Sequence, residues 1–334
     1  MKRFLLFAFL SLVSFSAWSQ QDPMFTKYMF NGLAYNPAFA GSPGYMSARM
    51  IYRNQWWAFE GAPTTQSFTI HSPVRERVGV GLAVMNDKVG STGTTSVFGS
   101  YAYHIDFGKG RLAIGLQAGV INWRADWDDL KFRDPRGLDQ SFNENPTRWL
   151  PNFGAGVFYY APKYYIGFSV PHMLESDLNK TVNENAIKWA KLYRHFFFTT
   201  GAAIPISGDM MIFKPSIMIK SVGLLSSFST DPSDPNRVGA PAEFDIDLSV
   251  LFYEAVWFGM SFRSAFAAKQ FGGTSSFDSA DVWAAYYLHN GLRIGLSYDY
   301  TLTQLQDYAK GSFELMLGYD MTYDVKKVTT PRYF

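Results

Sequence analysis

Five histidines, His71, His104, His172, His195 and His289, are scattered along the 334 residues, with no H-E-x-x-H pair and no cysteine. A zinc site needs several such ligands drawn together, and neither the residue types nor their spacing supplies them. There is no G-x-S-x-G elbow and no phosphate-cradling loop; the glycines at 79 and 81, or 154 and 156, fall within strand-like segments, where glycine lets strands bend and pack closely. Asp126, Asp128 and Asp129 offer oxygen ligands to calcium, but the EF-hand spacing is missing and a solvated loop is the better reading. No catalytic residue, metal or cofactor is expected, and the chain is not read as an enzyme.

Other charges do follow a rule. Asp245, Asp247, Arg263, Arg293, Asp299 and Glu314 sit at polar positions of segments that alternate with period two. In 244–250 the apolar set is Phe244, Ile246, Leu248 and Val250, with Asp245, Asp247 and Ser249 between them. Phe258, Met260 and Phe262 alternate with Gly259, Ser261 and Arg263, and the same pattern runs through 292–300 and 312–319. Successive side chains of a strand point to opposite faces, so each segment has an oily face and a wet one. Carboxylates and arginines would not tolerate a dry core. A transmembrane antiparallel up-and-down β-barrel, oily outside and polar inside, uses this pattern strand after strand. The inward charges then line a polar channel or pair across a filled lumen; the filled lumen is favoured because each has an opposite partner at hand.

Composition agrees. Aromatics reach 18%, suited to the girdles of a membrane barrel, and the net charge of +2 argues against a nucleic-acid partner. Met1-Lys2-Arg3, an apolar run from Phe4 to Phe15 and Ala17-Trp18-Ser19 read as a signal peptide over 1–19, cleaved to leave Gln20 or Gln21 first. No later stretch is apolar enough for a membrane-spanning helix. The expected location is therefore a Gram-negative outer membrane, with its lipid as one partner.

Strands are expected to begin near Tyr45, Thr64, Arg77, Thr92, Arg111, Asn152, Tyr164, Leu192, Met210, Glu243, Val256, Asp281, Leu292 and Gly311. That makes about 14, an even number, as a closed barrel needs. Connections after even-numbered strands are short, and the long ones, such as 123–151 and 222–242, follow odd-numbered strands. Short periplasmic turns and long external loops produce this parity when the N-terminus is periplasmic. The layout is a periplasmic or plug-like arm over 20–44, a barrel over 45–324 and a periplasmic tail over 325–334. Within the arm, Met24, Tyr28, Phe30, Leu33 and Tyr35 suit a short amphipathic helix or an ordered plug, and Ser176–Trp189 suits a short helix in an external loop. Trp56 and Trp57 at a strand's upper end suit an interfacial belt, with a binding surface as the other reading.

The N-terminal pattern Gln21-Asp22-Pro23, Tyr28, Asn31, Asn36-Pro37-Ala38 and Ala40-Gly41, followed by Tyr52-Arg53-x-Gln55-Trp56 and Pro63-x-Thr65-x-Ser67, resembles the PorP/SprF family. The resemblance implies an outer-membrane protein of the type IX secretion system that serves secretion of proteins with C-terminal sorting domains, and often gliding motility. It implies periplasmic ring lipoproteins or a secreted adhesin's C-terminal domain as partners. Carried over, it marks Gln21, Asp22, Pro23, Tyr28, Asn31, Asn36, Pro37, Tyr52, Arg53, Gln55 and Trp56 as partner-binding positions. A passive transport barrel for small solutes, with the arm as plug, is the alternative.

Overall fold

The computed structural model describes residues 27–129, 145–177, 191–208, 210–223, 242–265 and 277–321. The strands are β1 (Met46–Asn54), β2 (Thr64–Arg75), β3 (Val78–Val89), β4 (Thr92–Phe107), β5 (Gly110–Ala125), β6 (Thr147–Tyr160), β7 (Tyr164–Val170), β8 (Ser176–Asp177), β9 (Lys191–Leu192) and β10 (His195–Ala202). They continue with β11 (Ile204–Ser207), β12 (Met211–Val222), β13 (Glu243–Phe252), β14 (Val256–Ala265), β15 (Phe277–Tyr287), β16 (Leu292–Thr301) and β17 (Ser312–Met321).

Each barrel strand pairs antiparallel with its neighbours in the chain, and two further ladders close the circuit. β1 pairs with β17, from Met46 opposite Met321 to Asn54 opposite Phe313. β10 pairs with β7 on one side and β12 on the other. The result is a closed antiparallel barrel of 14 strands, with β11 as an extra strand. β8 and β9 form a separate two-stranded pair. Closure removes the free edges that would otherwise expose unpaired backbone groups.

The expected parity holds. Turns at 76–77, 108–109, 161–163, 253–255 and 288–291 gather at one end, while Asn54, Ala125, Val170, Val222 and Ala265 end their strands at the other. The two ends are called here the short-turn end and the long-loop end.

β10 and β15 start at His195 and Phe277 rather than near Leu192 and Asp281, and two further differences have identifiable reasons. β6 starts at Thr147 rather than near Asn152, with Pro151 inside it opposite Val120. There β6 has risen past β7, whose ladder stops at Ala155 opposite Val170, so the proline occupies an edge-like setting. The second difference is β11, which continues the line of β10 after a break at Ala203. The ladder between β10 and β12 stops at Gly201 opposite Ser216 and resumes at Ile204 opposite Phe213. Pro215 lies in that gap, and it has no N–H to donate. The loop helix expected over Ser176–Trp189 falls largely outside the described residues, and its first two residues form β8.

The oily faces turn outward. Leu248, Phe258, Met260, Leu296, Tyr298 and Tyr300 are exposed, and their alternate neighbours are buried or half-buried. The interior is less uniformly polar than the alternation implies. Trp257, Trp283, Leu251, Met218, Ile212 and Phe197 also point inward and form one apolar cluster with Tyr28, Phe30 and Tyr35. Those last three belong to the N-terminal arm, which supplies the apolar partners that a water-filled lumen would lack.

Candidate functional site

The arm lies inside the barrel as three single 3₁₀ turns, Tyr28–Phe30, Gly32–Ala34 and Pro37–Phe39. Asn36 starts the last of these. Its side-chain oxygen accepts the Ala38 N–H at 2.9 Å, and its amide donates to the Val157 carbonyl of β6 at 3.0 Å. Pro37, which has no N–H to satisfy, occupies the first position of the turn. The Asn-Pro-Ala run is therefore a local cap that also ties the arm to the wall.

The wall is cut to fit. A Cβ on Gly115 would lie 2.1 Å from the Ala38 nitrogen, one on Gly79 2.0 Å from the Ala40 carbonyl oxygen, and one on Gly156 2.2 Å from Asn36 Oδ1. Ala38 and Ala40 are themselves fully buried. Small residues on both sides let two backbones approach. Gly41 then turns the chain with φ of 76°, a conformation that favours glycine.

Polar contacts complete the seat. The Ala40 carbonyl can only accept, so His104 donates through Nε2 at 2.9 Å, and Tyr160 contacts its other ring nitrogen at 3.1 Å. Gly41 N–H donates to His71 Nδ1 at 3.3 Å, and Ser169 donates to the Tyr35 carbonyl at 2.7 Å. Asn31 accepts from Thr69 at 2.7 Å, and the Tyr28 hydroxyl meets Ser216 at 2.8 Å. Phe30 meets Trp257 and Trp283 edge-on at 5.0 and 5.2 Å between ring centroids.

Lys27 carries the arm's charge into the barrel. It is 1% exposed, and its ammonium pairs with Asp281, contacts Ser261 and lies 3.7 Å from Asp247. Asp247 also accepts from Ser261 and, at 2.8 Å, from the Trp283 indole. Further round the wall, Arg263 grips Asp245 through two hydrogen bonds of 2.7 and 3.1 Å. Arg53 sits 2.8 Å from Asp299 and 3.5 Å from Glu314. Nearer the short-turn end, Arg49 at 2.7 Å and Arg293 share Asp320. All six charges expected to face inward do so and take part in ion pairs with one another or with Lys27, Arg53 and Asp320. Buried charges persist only when paired and hydrogen-bonded in this way.

The structure divides the sequence-selected residues into groups. Tyr28, Asn31, Asn36 and Pro37 are buried within the barrel. Arg53 is buried in its ion-pair network, while Tyr52, its neighbour on β1, faces outward beside Phe313 at 6.0 Å. Gln55 and Trp56 are half-buried at the long-loop end. There the backbone is left-handed at Trp56 (φ 54°) and Ala58 (φ 71°), rare for residues with side chains. Trp57 and Phe59 are exposed beside them. Gln21, Asp22 and Pro23 lie outside the described residues. Lys27, Arg49, Asp281 and Asp320 were not singled out from the sequence. The alternation of Ser47, Arg49, Ile51 and Arg53 in β1 is the signal that places both arginines inside.

Among solved structures, the chain is similar to an outer membrane protein of Acinetobacter baumannii, Omp33, at 8% identity, covering 84% of this chain and 98% of that one with a TM-score of 0.44. It is also similar to a Pseudomonas aeruginosa FadL homologue at 13% identity, covering 93% and 97% with a TM-score of 0.47. Likeness at this level carries no conclusion about activity. No curated protein matches the chain. A family model described as type IX secretion system membrane protein PorP/SprF does match, over residues 17–319. That span takes in the described arm and nearly every barrel strand, and the chain accordingly belongs to the PorP/SprF family of type IX secretion system membrane proteins.

Proposed function

We propose that this protein is a non-enzymatic scaffold of the type IX secretion system, lodged in the outer membrane. It anchors the periplasmic machinery, or a secreted adhesin with a C-terminal sorting domain, and serves protein secretion and gliding motility. The proposed route there is export by a signal peptide cleaved to leave Gln20 or Gln21 first. The short-turn end then faces the periplasm, the arm stays seated in the lumen, and the long-loop end faces outward. Family membership supports the system, and the seated arm supports the scaffold. A lumen crossed by a segment with matched glycines, caps and buried ion pairs suits a body to which partners dock better than a conduit.

Partner contacts are then proposed at Gln21, Asp22 and Pro23, which precede the described residues, and at Gln55 and Trp56 in the long-loop rim. Tyr28, Asn31, Asn36, Pro37 and Arg53 support those surfaces from within, and Tyr52 faces lipid. Crosslinked affinity purification from the native outer membrane tests this. Recovery of periplasmic ring lipoproteins or of a secreted protein's C-terminal domain is the expected result. Recovery of the barrel alone, under conditions that preserve other complexes, would overturn the proposal.

A further inference from the structure

Beside the arm, toward the short-turn end, the packing leaves a cavity of about 350 Å³. That volume lies at the low end of the roughly 300–1,000 Å³ that small-ligand sites occupy. Its walls are largely aromatic, with Phe39 from the arm and Phe158, Tyr165, Trp257 and Tyr287 from the strands. Cations enter this apolar space. Lys214 lies over the Trp257 ring at 3.6 Å, and Arg293 lies over the Tyr287 ring at 4.0 Å. Arg293 and Arg49 share Asp320, so this trio carries one positive charge in excess. The Arg293 side chain is still 25% exposed, and a terminal nitrogen lies 3.3 Å from the Tyr45 hydroxyl. Glu254 also lines the space, but it stands exposed in the turn between β13 and β14.

We propose that this cavity binds an apolar carboxylate, with an aromatic or short aliphatic body between the rings and its carboxylate on Arg293. An empty apolar void would not be edged by guanidinium groups, and a water pocket would not be walled so largely by aromatic rings. A guanidinium presents paired N–H donors that match a carboxylate, and its partial exposure leaves donors to offer. The same chemistry is supplied by a free small acid or by the aromatic C-terminal residue of another chain. The site does not depend on the secretion reading, because it follows from the arm's packing alone.

The test uses the purified full-length protein in detergent and fluorine NMR of 4-fluorophenylpropionate. Its primary amide and protein-free micelles serve as controls. Saturable broadening of the acid but not the amide is expected. Arg293→Gln should weaken binding by about tenfold or more, the scale of losing a charged hydrogen bond. Thr199→Phe, at an uncharged inward position that lines the cavity and alternates with Phe197 and Gly201 on β10, should abolish it and covers the case in which Arg293→Gln does not fold. A glycine-serine peptide ending in phenylalanine, as free acid and as amide, separates the sources. Tighter binding of the peptide acid assigns the site to a chain end, and tighter binding of the free compound assigns it to a small molecule. Equal broadening of acid and amide, no saturable binding of either acid, or binding unchanged in Thr199→Phe would overturn the proposal.

Discussion

Gly115 and Ala38 are 77 residues apart in the sequence numbering of the protein, yet a single carbon added to Gly115 would lie 2.1 Å from the Ala38 backbone nitrogen. A real Cβ does not approach a backbone atom so closely, so the wall strand and the arm specify each other. Gly79 against Ala40 and Gly156 against Asn36 repeat the relationship on β3 and β6. The family's short N-terminal motif is thus one half of a contact whose other half is spread over three strands.

Gly115→Val is expected to displace the arm and to destabilise the protein by about 1–3 kcal/mol, the usual cost of overpacking. Gly99→Ala is its control, because a Cβ there meets nothing closer than the Ala118 oxygen at 4.0 Å. Thermal unfolding in detergent should show a lowered midpoint for the first variant and little change for the second. Equal midpoints would mean that the arm is not tightly seated.

Lys27→Met removes the cation from beside Asp247 and Asp281 and leaves buried carboxylates behind. Breaking a buried pair from one side costs about 3–5 kcal/mol. Adding Asp281→Asn to Lys27→Met should recover part of the loss, because one stranded charge is gone. Denaturant titration of the two variants and their parent measures the difference. A double variant no more stable than Lys27→Met would show that the pairing is not what holds Lys27.

Asn36→Ala loses both the cap on Ala38 and the bond to Val157. Loss of an N-cap costs about 0.5–2 kcal/mol. Asn36→Asp keeps an acceptor for the cap and loses the donor to Val157. Hydrogen exchange at Ala38, Phe39 and Ala40 is expected to accelerate most in the alanine variant. Slower exchange in Asn36→Ala than in Asn36→Asp would contradict the capping role.

The barrel was legible in the sequence because period-two alternation reports which way each side chain faces, and turn lengths report which end of the barrel a connection occupies. Both signals are local. Asp245, Asp247, Arg263, Asp299 and Glu314 could therefore be placed inside before any contact was known. What each inward residue meets is a long-range matter that alternation does not carry. Lys27 lies 254 positions from Asp281 in the chain, and nothing near either residue announces the pair. The same holds for glycine. Gly79 and Gly156 read as positions where strands bend, whereas they make room for the arm. The aromatic content read as membrane girdles, yet Trp257 and Trp283 face Phe30 inside, because an apolar arm needs apolar partners.

The account turns on a barrel that is filled by its own chain and offers its ends to partners. Single-channel recording in planar bilayers tests this most directly, comparing the full protein with a variant lacking residues 27–44. The account predicts no steady unitary conductance from the full protein and the appearance of one when the arm is removed from an otherwise folded barrel. Steady conductance from the intact protein would contradict it and return the weight to a solute pore.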